Sequence, residues 1–263
     1  MTGGDFLTVD GIRLECRWFG DSGDETRPAL LLLHEGLGCV AMWRDFPDAL
    51  AAATDCPVFA WSRRGYGASD PAPLPRPVDY MQREGLEVVP KILDALGRRA
   101  VFLIGHSDGA SIAAVHAGAY DDERVKGLVL MAPHFFIEDE THDSIAAALT
   151  AYRETDLRAR LARYHGDNVD CAFYGWNTAW LDPDFRSWNI EDYAEKITVP
   201  VLTIQGEDDE YGTAAQVESI AARAKGPVET HLLPDCGHSP FRDRREEALA
   251  LIASFVASHA KEN

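Results

Sequence analysis

The chain has 263 residues, enough for one large domain with a substantial buried core, and its 46% hydrophobic and 26% charged content is that of a soluble globular protein. A formal net charge of -18 repels nucleic-acid phosphates and anionic lipid head groups, so neither is expected as a partner. The opening stretch MTGGDFLTVDG lacks the layout of a secretory signal, and no run approaches the roughly 18 consecutive apolar residues of a membrane span.

Five cysteines (Cys16, Cys39, Cys56, Cys171, Cys236) are scattered without a CxxC pair. Their odd number and spacing fit free thiols in a reducing cytoplasm, and no metal site is expected.

In chain order, the first pattern runs from Phe6 through Cys16 to Phe19, broken at Asp10-Gly11. Asp-Gly between two β-like runs predicts a hairpin. Ala29 to Leu33 is a continuous apolar run, as in a strand covered on both faces. A helix is predicted over Met42 to Ala53 and a short strand over Val58 to Trp61. Beyond the Pro-rich loop Pro71 to Pro77, the pattern is helical from Tyr80 to Leu96. Ala100 to Ile104 is again strand-like and leads into a helical Ala110 to Ala119, followed by a strand at Val125 to Met131.

The alternation then stops. Residues 134–196 read as helical and aromatic, with no strand signal until Val199 to Ile204. A helix (Thr213 to Ala224), a strand (Val228 to Leu233) and a final helix (Arg242 to His259) complete the chain. This order predicts an α/β fold, a mostly parallel doubly wound sheet. An interruption of some sixty residues is too long for a plain connection. The expected organisation is therefore a core of residues 1–133 and 197–263 with a helical cap inserted at 134–196.

Gly105-His106-Ser107-Asp108-Gly109 matches G-x-S-x-G, directly after a predicted strand and before a predicted helix. Such a turn lifts a serine hydroxyl above the sheet edge, and small residues two positions to either side avoid collisions. The alternative is an ordinary glycine-rich turn with a capping serine. The context of strand, helix and downstream partners favours a nucleophile at Ser107.

A serine needs a base. Of nine histidines, His238 lies in the loop LLPDCGHSPF, between a short strand and the last helix, at the sheet edge where functional groups collect. The acid that orients it is sought in GEDDEYG, after the preceding strand. Asp209 is chosen, with Asp208 as the runner-up, and the other carboxylates are read as solvated. The run LLLLHEGLG offers backbone N–H groups, and those of Gly36 and Asp108 together suit an oxyanion.

With HEGLG, SRRGYGASD, GHSDG and the GEDD…GHSPF pair in this order, the chain resembles the α/β-hydrolase fold superfamily of esterases, thioesterases and C–C-bond hydrolases. The resemblance spans nearly the whole chain, the cap by position only. It implies catalytic roles for Ser107, Asp209 and His238 and oxyanion roles for the Gly36 and Asp108 backbone. No cofactor is expected. Two departures stand out. The family usually has His-Gly where this chain has His34-Glu35, and often Asp in place of Ser62. Glu35 either meets substrate or water, or pairs with Arg63, Arg64 or an indole N–H to hold its loop, and the second reading is preferred.

Phe173, Tyr174, Trp176, Trp180, Phe185 and Trp188 crowd the cap. They are read partly as its packing core and partly as a pocket wall. The candidates to touch an apolar or aromatic acyl substrate are Trp176, Trp180, Trp43, His106 and Glu35. Hydrolysis of a carboxylic ester or related acyl bond is the expected activity. C–C or thioester hydrolysis on the same triad, and a ligand-binding receptor on the same scaffold, are the alternatives. A serine nucleophile argues against haloalkane dehalogenase and epoxide hydrolase chemistry, which need Asp at that position.

Overall fold

The computed structural model describes residues 5–23 and 25–260; residues 1–4, where the stretch read for a signal begins, lie outside the described residues, as do 24 and 261–263. Eight strands, β1 (Asp5–Val9), β2 (Ile12–Phe19), β3 (Ala29–Leu33), β4 (Val58–Trp61), β5 (Val101–His106), β6 (Val125–Met131), β7 (Val201–Gly206) and β8 (Val228–Leu233), form one sheet. Their order is β1-β2-β4-β3-β5-β6-β7-β8. The β1–β2 and β2–β4 pairs are antiparallel and all the others are parallel. The predicted hairpin closes with Val9 opposite Ile12, and both turn residues, Asp10 and Gly11, have positive φ.

The apolar runs are continuous because the sheet is covered on both faces. Leu31, Leu33, Leu103, Leu128 and Leu130 enter one core cluster, while Leu30, Leu32, Phe102, Ile104 and Val129 enter the other. Successive strand residues point to opposite faces, so every position of such a strand is buried. Each leucine so buried contributes roughly 1.5–3 kcal/mol.

The helices are α1 (Phe46–Thr54), α2 (Tyr80–Arg83), α3 (Val89–Leu96), α4 (Asp108–Ala119), α5 (Asp139–Glu154), α6 (Leu157–His165), α7 (Val169–Trp180), α8 (Glu191–Ala194), α9 (Ala215–Arg223), α10 (Pro240–Asp243) and α11 (Arg245–His259). Three differ from the sequence reading. The helix expected over Met42 to Ala53 begins only at Phe46, after a 3-10 turn at Val40–Trp43 and a break at Arg44. The helix expected over Tyr80 to Leu96 is divided by a π-turn at Glu84–Val88 ahead of α3. Pro90, lacking an N–H, cannot continue the hydrogen-bond ladder there. The helix expected from Arg242 is split at Arg244.

Between β6 and β7 the chain runs as α5 to α8 with no strand. Among the described residues no helix is long and apolar enough to cross a membrane.

Connectivity fixes where a site can form. From β3 the chain steps outward to β4, whereas from β5 it steps the other way to β6. The carboxyl ends of β3 and β5 therefore border a crevice that no connection crosses, the usual ligand position in such sheets. The HEGLG loop follows β3 and Ser107 follows β5.

Candidate active site

Ser107 sits between β5 and α4 with φ 53° and ψ −120°, a strained backbone for a residue with a Cβ. The turn is tight enough to need its glycines. A Cβ on Gly109 would stand 2.0 Å from the Leu33 carbonyl oxygen, and one on Gly105 2.4 Å from the Ala110 backbone nitrogen. Ser107 N–H donates to the Met131 carbonyl (2.9 Å), and its own carbonyl accepts from Ala110 N–H (2.9 Å) and Ser111 N–H (3.1 Å). Locked in this way, the side chain is buried but reaches the crevice.

His238 Nε2 lies 2.9 Å from Ser107 Oγ. Its Nδ1 lies 2.8 Å and 2.9 Å from the two carboxylate oxygens of Asp209. The loops carrying these residues approach closely because Gly206, closing β7, has no Cβ: one would stand 2.2 Å from the Cys236 carbonyl oxygen. Asp209 also accepts from Gln205 Nε2 (2.6 Å) and from Tyr211 N–H (2.8 Å). Burial favours its neutral form, but the His238 hydrogen bond and charge and the Tyr211 N–H outweigh that, so its pKa lies below the ordinary carboxylate value. Asp208, by contrast, is exposed.

The Gly36 backbone lies in the loop across from Ser107 and lines the same cavity, while Asp108 begins α4. Arg63 shapes this region from beneath. Its guanidinium donates to the His34 carbonyl (2.8 Å) and the Glu35 carbonyl (3.1 Å), and reaches Asp108 Oδ2 at 3.4 Å. Tyr80 donates to the same Asp108 oxygen at 2.5 Å and accepts from Trp180 Nε1 at 2.8 Å. A helix of the β6–β7 segment is thereby tied to the residue after Ser107. Arg64 instead donates to the Pro71 carbonyl, holding its own turn.

Neither arginine is the partner of the Glu35 carboxylate, and neither is an indole N–H. Glu35 Oε2 faces His106 Nδ1 at 3.4 Å, and His106 Nε2 lies 2.6 Å from the His238 carbonyl oxygen. Burial opposes the Glu35 charge, yet His106 and His34 together hold its pKa down to about 2.

The cavity over Ser107 has a volume of about 130 Å³. Of the residues expected to touch substrate, Glu35, His106, Trp176 and Trp180 line it. Trp43 does not. Its ring is buried behind His106, against Phe46 and Phe241, because the turn before α1 folds it into the core. Six further lining residues, Leu37, His134, Ile145, Tyr211, Ser239 and Arg242, are not among the candidates the sequence suggests. His134 and Tyr211 follow the carboxyl ends of β6 and β7, a positional signal that was available. Ile145 on α5 carried none.

Residues 30–251 match the model described as the alpha/beta hydrolase family. The chain belongs to that family. Among curated relatives, it is 26% identical over 264 residues to Serine hydrolase BPHL of Homo sapiens, covering 95% of this chain and 85% of that one. It is 24% identical over 271 residues to Epoxide hydrolase 3 of Xenopus tropicalis, covering 89% and 73%. A hydrolase from Pseudomonas aeruginosa PA01 shares the fold with a TM-score of 0.75 at 24% identity, covering 97% of this chain and 98% of that one. As a member of the alpha/beta hydrolase family, the chain is an enzyme of the hydrolase kind that acts on small molecules.

Proposed function

We propose that this protein is a serine hydrolase that cleaves a carboxylic ester or related acyl bond through an acyl-enzyme intermediate. One observation carries the reading: a single imidazole, His238, bridges the Ser107 hydroxyl at 2.9 Å and the Asp209 carboxylate at 2.8 Å. That is the geometry in which a hydroxyl loses its proton as it attacks a carbonyl carbon.

In the acylation step Ser107 Oγ bonds to the substrate carbonyl carbon while its proton passes to His238 Nε2. Asp209 fixes the ring with Nδ1 protonated and stabilises the imidazolium. The N–H groups of Gly36 and Asp108 receive the oxyanion. Collapse of the tetrahedral species breaks the bond to the leaving group, which takes the proton from His238. Water then repeats the sequence and releases the acid. The Ser107 position does not supply the carboxylate that epoxide opening through a covalent ester requires.

In this reading residues 134–196 act as a cap, with Trp176 and Trp180 forming an apolar, aromatic wall over the acyl group. A cavity of about 130 Å³ suits a small substrate, for a void of roughly 150 Å³ holds one benzene. Five scattered cysteines, an odd number without a CxxC pair, fit a cytoplasmic location.

The test joins labelling to turnover. A fluorophosphonate probe is expected to modify Ser107, identified by mass spectrometry of the digested protein, and short-chain p-nitrophenyl esters are expected to be hydrolysed. Ser107→Ala should fold and lose both. Stabilisation by ligands without labelling or turnover of any ester or thioester would instead mark a binding protein.

A further inference from the structure

His134 is three residues beyond the end of β6, and its buried side chain lines the catalytic cavity. The ring is held in place. The His134 backbone N–H and carbonyl both bond to Ser111 Oγ, at 3.1 Å and 2.7 Å, and Ser111 lies one turn beyond Ser107 on α4. Trp180 packs against the ring with its plane at 72° and centroids 5.1 Å apart, and the His238 ring is 5.7 Å away.

Despite this fixed setting, the imidazole makes no hydrogen bond among the described residues. Nδ1 is sealed from solvent and has no partner. Nε2 is not sealed and has no protein partner either, so the cavity is where it can meet one. Native folds seldom leave a buried ring nitrogen unpaired, so a nitrogen that opens onto a pocket meets water or a bound molecule there, and a substrate oxygen can take the water's place. Burial, with the nearby His238, pushes the His134 pKa down to about 3, so one ring nitrogen carries a proton and the other does not. Among buried backbone groups an N–H without an acceptor is rarer than a carbonyl without a donor, and the same preference applied to the ring puts its proton on the nitrogen that opens onto the cavity. The proton therefore belongs on Nε2.

We propose that His134 is a specificity-determining residue whose Nε2–H donates to an ether or keto oxygen on the substrate, close to the scissile carbonyl but distinct from it. The inference rests on the ester-hydrolysis reading and names its substrate class: small oxygen-substituted esters in preference to plain alkyl ones. A site built to meet an oxygen discriminates against a methylene in the same place because its donor is then left unpaired.

Isosteric pairs isolate the effect. On the acyl side, p-nitrophenyl methoxyacetate is compared with p-nitrophenyl butyrate. On the alcohol side, 2-methoxyethyl acetate is compared with butyl acetate. Each pair differs by one oxygen for one methylene, and intrinsic reactivity cancels when ratios are compared between enzymes. In at least one pair, the kcat/KM ratio of oxygen to carbon ester is expected to fall about tenfold in His134→Phe. His134→Gln, which keeps an N–H, should restore part of it. If both members of each pair fall in the same proportion, or no ratio changes, His134 is only a structural residue and the proposal is overturned.

A second arm does not depend on turnover. Binding of the same four esters to Ser107→Ala is measured by calorimetry with and without His134→Phe. A preference for an oxygen-bearing ester that disappears with the ring supports the proposal, and equal binding within both pairs overturns it. An enzyme that turns over no ester would overturn the functional reading while this binding result still decides the role of His134.

Discussion

His106 Nε2 lies 2.6 Å from the carbonyl oxygen of His238, so the residue before Ser107 holds the loop that carries the proposed base. A carbonyl oxygen only accepts, so Nε2 must be the donor. His106 Nδ1 then faces the Glu35 carboxylate at 3.4 Å. Glu35, His106 and the His238 backbone thus form a second chain of contacts beside the one from Asp209 to Ser107.

Breaking that chain should misplace His238 without removing it. In His106→Phe, kcat on a p-nitrophenyl ester is expected to fall about 10²-fold, the usual cost of shifting a catalytic group by about 1 Å. KM should change far less, and His106→Gln, which can still donate, should recover much of the loss. An equal rise in KM with kcat preserved would place His106 in substrate binding instead.

Glu35 makes an additional, pH-dependent prediction. Its folded pKa, about 2, is below the ordinary carboxylate value, so the unfolded chain binds its proton more readily. The resulting stabilisation is fully present above the ordinary carboxylate pKa and is lost as pH falls toward 2. It amounts to at most about 3 kcal/mol. Glu35→Gln should therefore lower Tm markedly at pH 6 to 7 and progressively less below pH 4. A Tm difference that stays constant across that range would mean the carboxylate charge is not what the fold uses.

Asp209 and Asp208 are neighbours in the chain but not in role. Asp209→Asn keeps the shape of the side chain but no longer offers His238 Nδ1 a carboxylate, and kcat is expected to drop about 10³–10⁴-fold with little loss of thermal stability. Asp208→Asn, at an exposed position, should retain wild-type kcat. The pair of variants assayed on one ester decides between them, and a reversed ranking would move the acid to residue 208.

What the sequence made legible follows from how local each signal is. Ala29 to Leu33 reads as a doubly covered strand because both faces of β3 are buried, and burial alone writes that pattern. The Ser107 turn is legible because its glycines answer to contacts within a few residues and to the adjacent β3 carbonyl. Glu35 lines the cavity, as one of its two sequence readings expects, but its carboxylate's partner is His106 and not an arginine or indole, a contact that depends on β3 lying beside β5, which chain order does not state. Trp43 was expected at the pocket for being near the oxyanion loop in sequence, yet a turn before α1 directs it inward. The place of His134 just beyond β6 is legible in the sequence, but its unpaired ring nitrogen is a property of packing, not of spacing.

Gly36 and Trp176 offer the sharpest test of the cavity itself. A Cβ on Gly36 would stand 2.2 Å from Trp176 Cδ1 and Nε1, far inside van der Waals contact. In Gly36→Ala either the indole moves into a cavity of only about 130 Å³ or the loop bearing the proposed oxyanion N–H retreats. Both routes impair the reaction centre, and kcat/KM is expected to fall about 10²-fold. They differ in what restores it. If the indole is the obstacle, adding Trp176→Ala makes room and recovers activity well beyond the product of the two single effects, a coupling that steady-state kinetics on the four enzymes measures directly. If the loop has moved, the second substitution only adds to the damage, and Gly36 then acts through its backbone position and not through the room it leaves for the tryptophan.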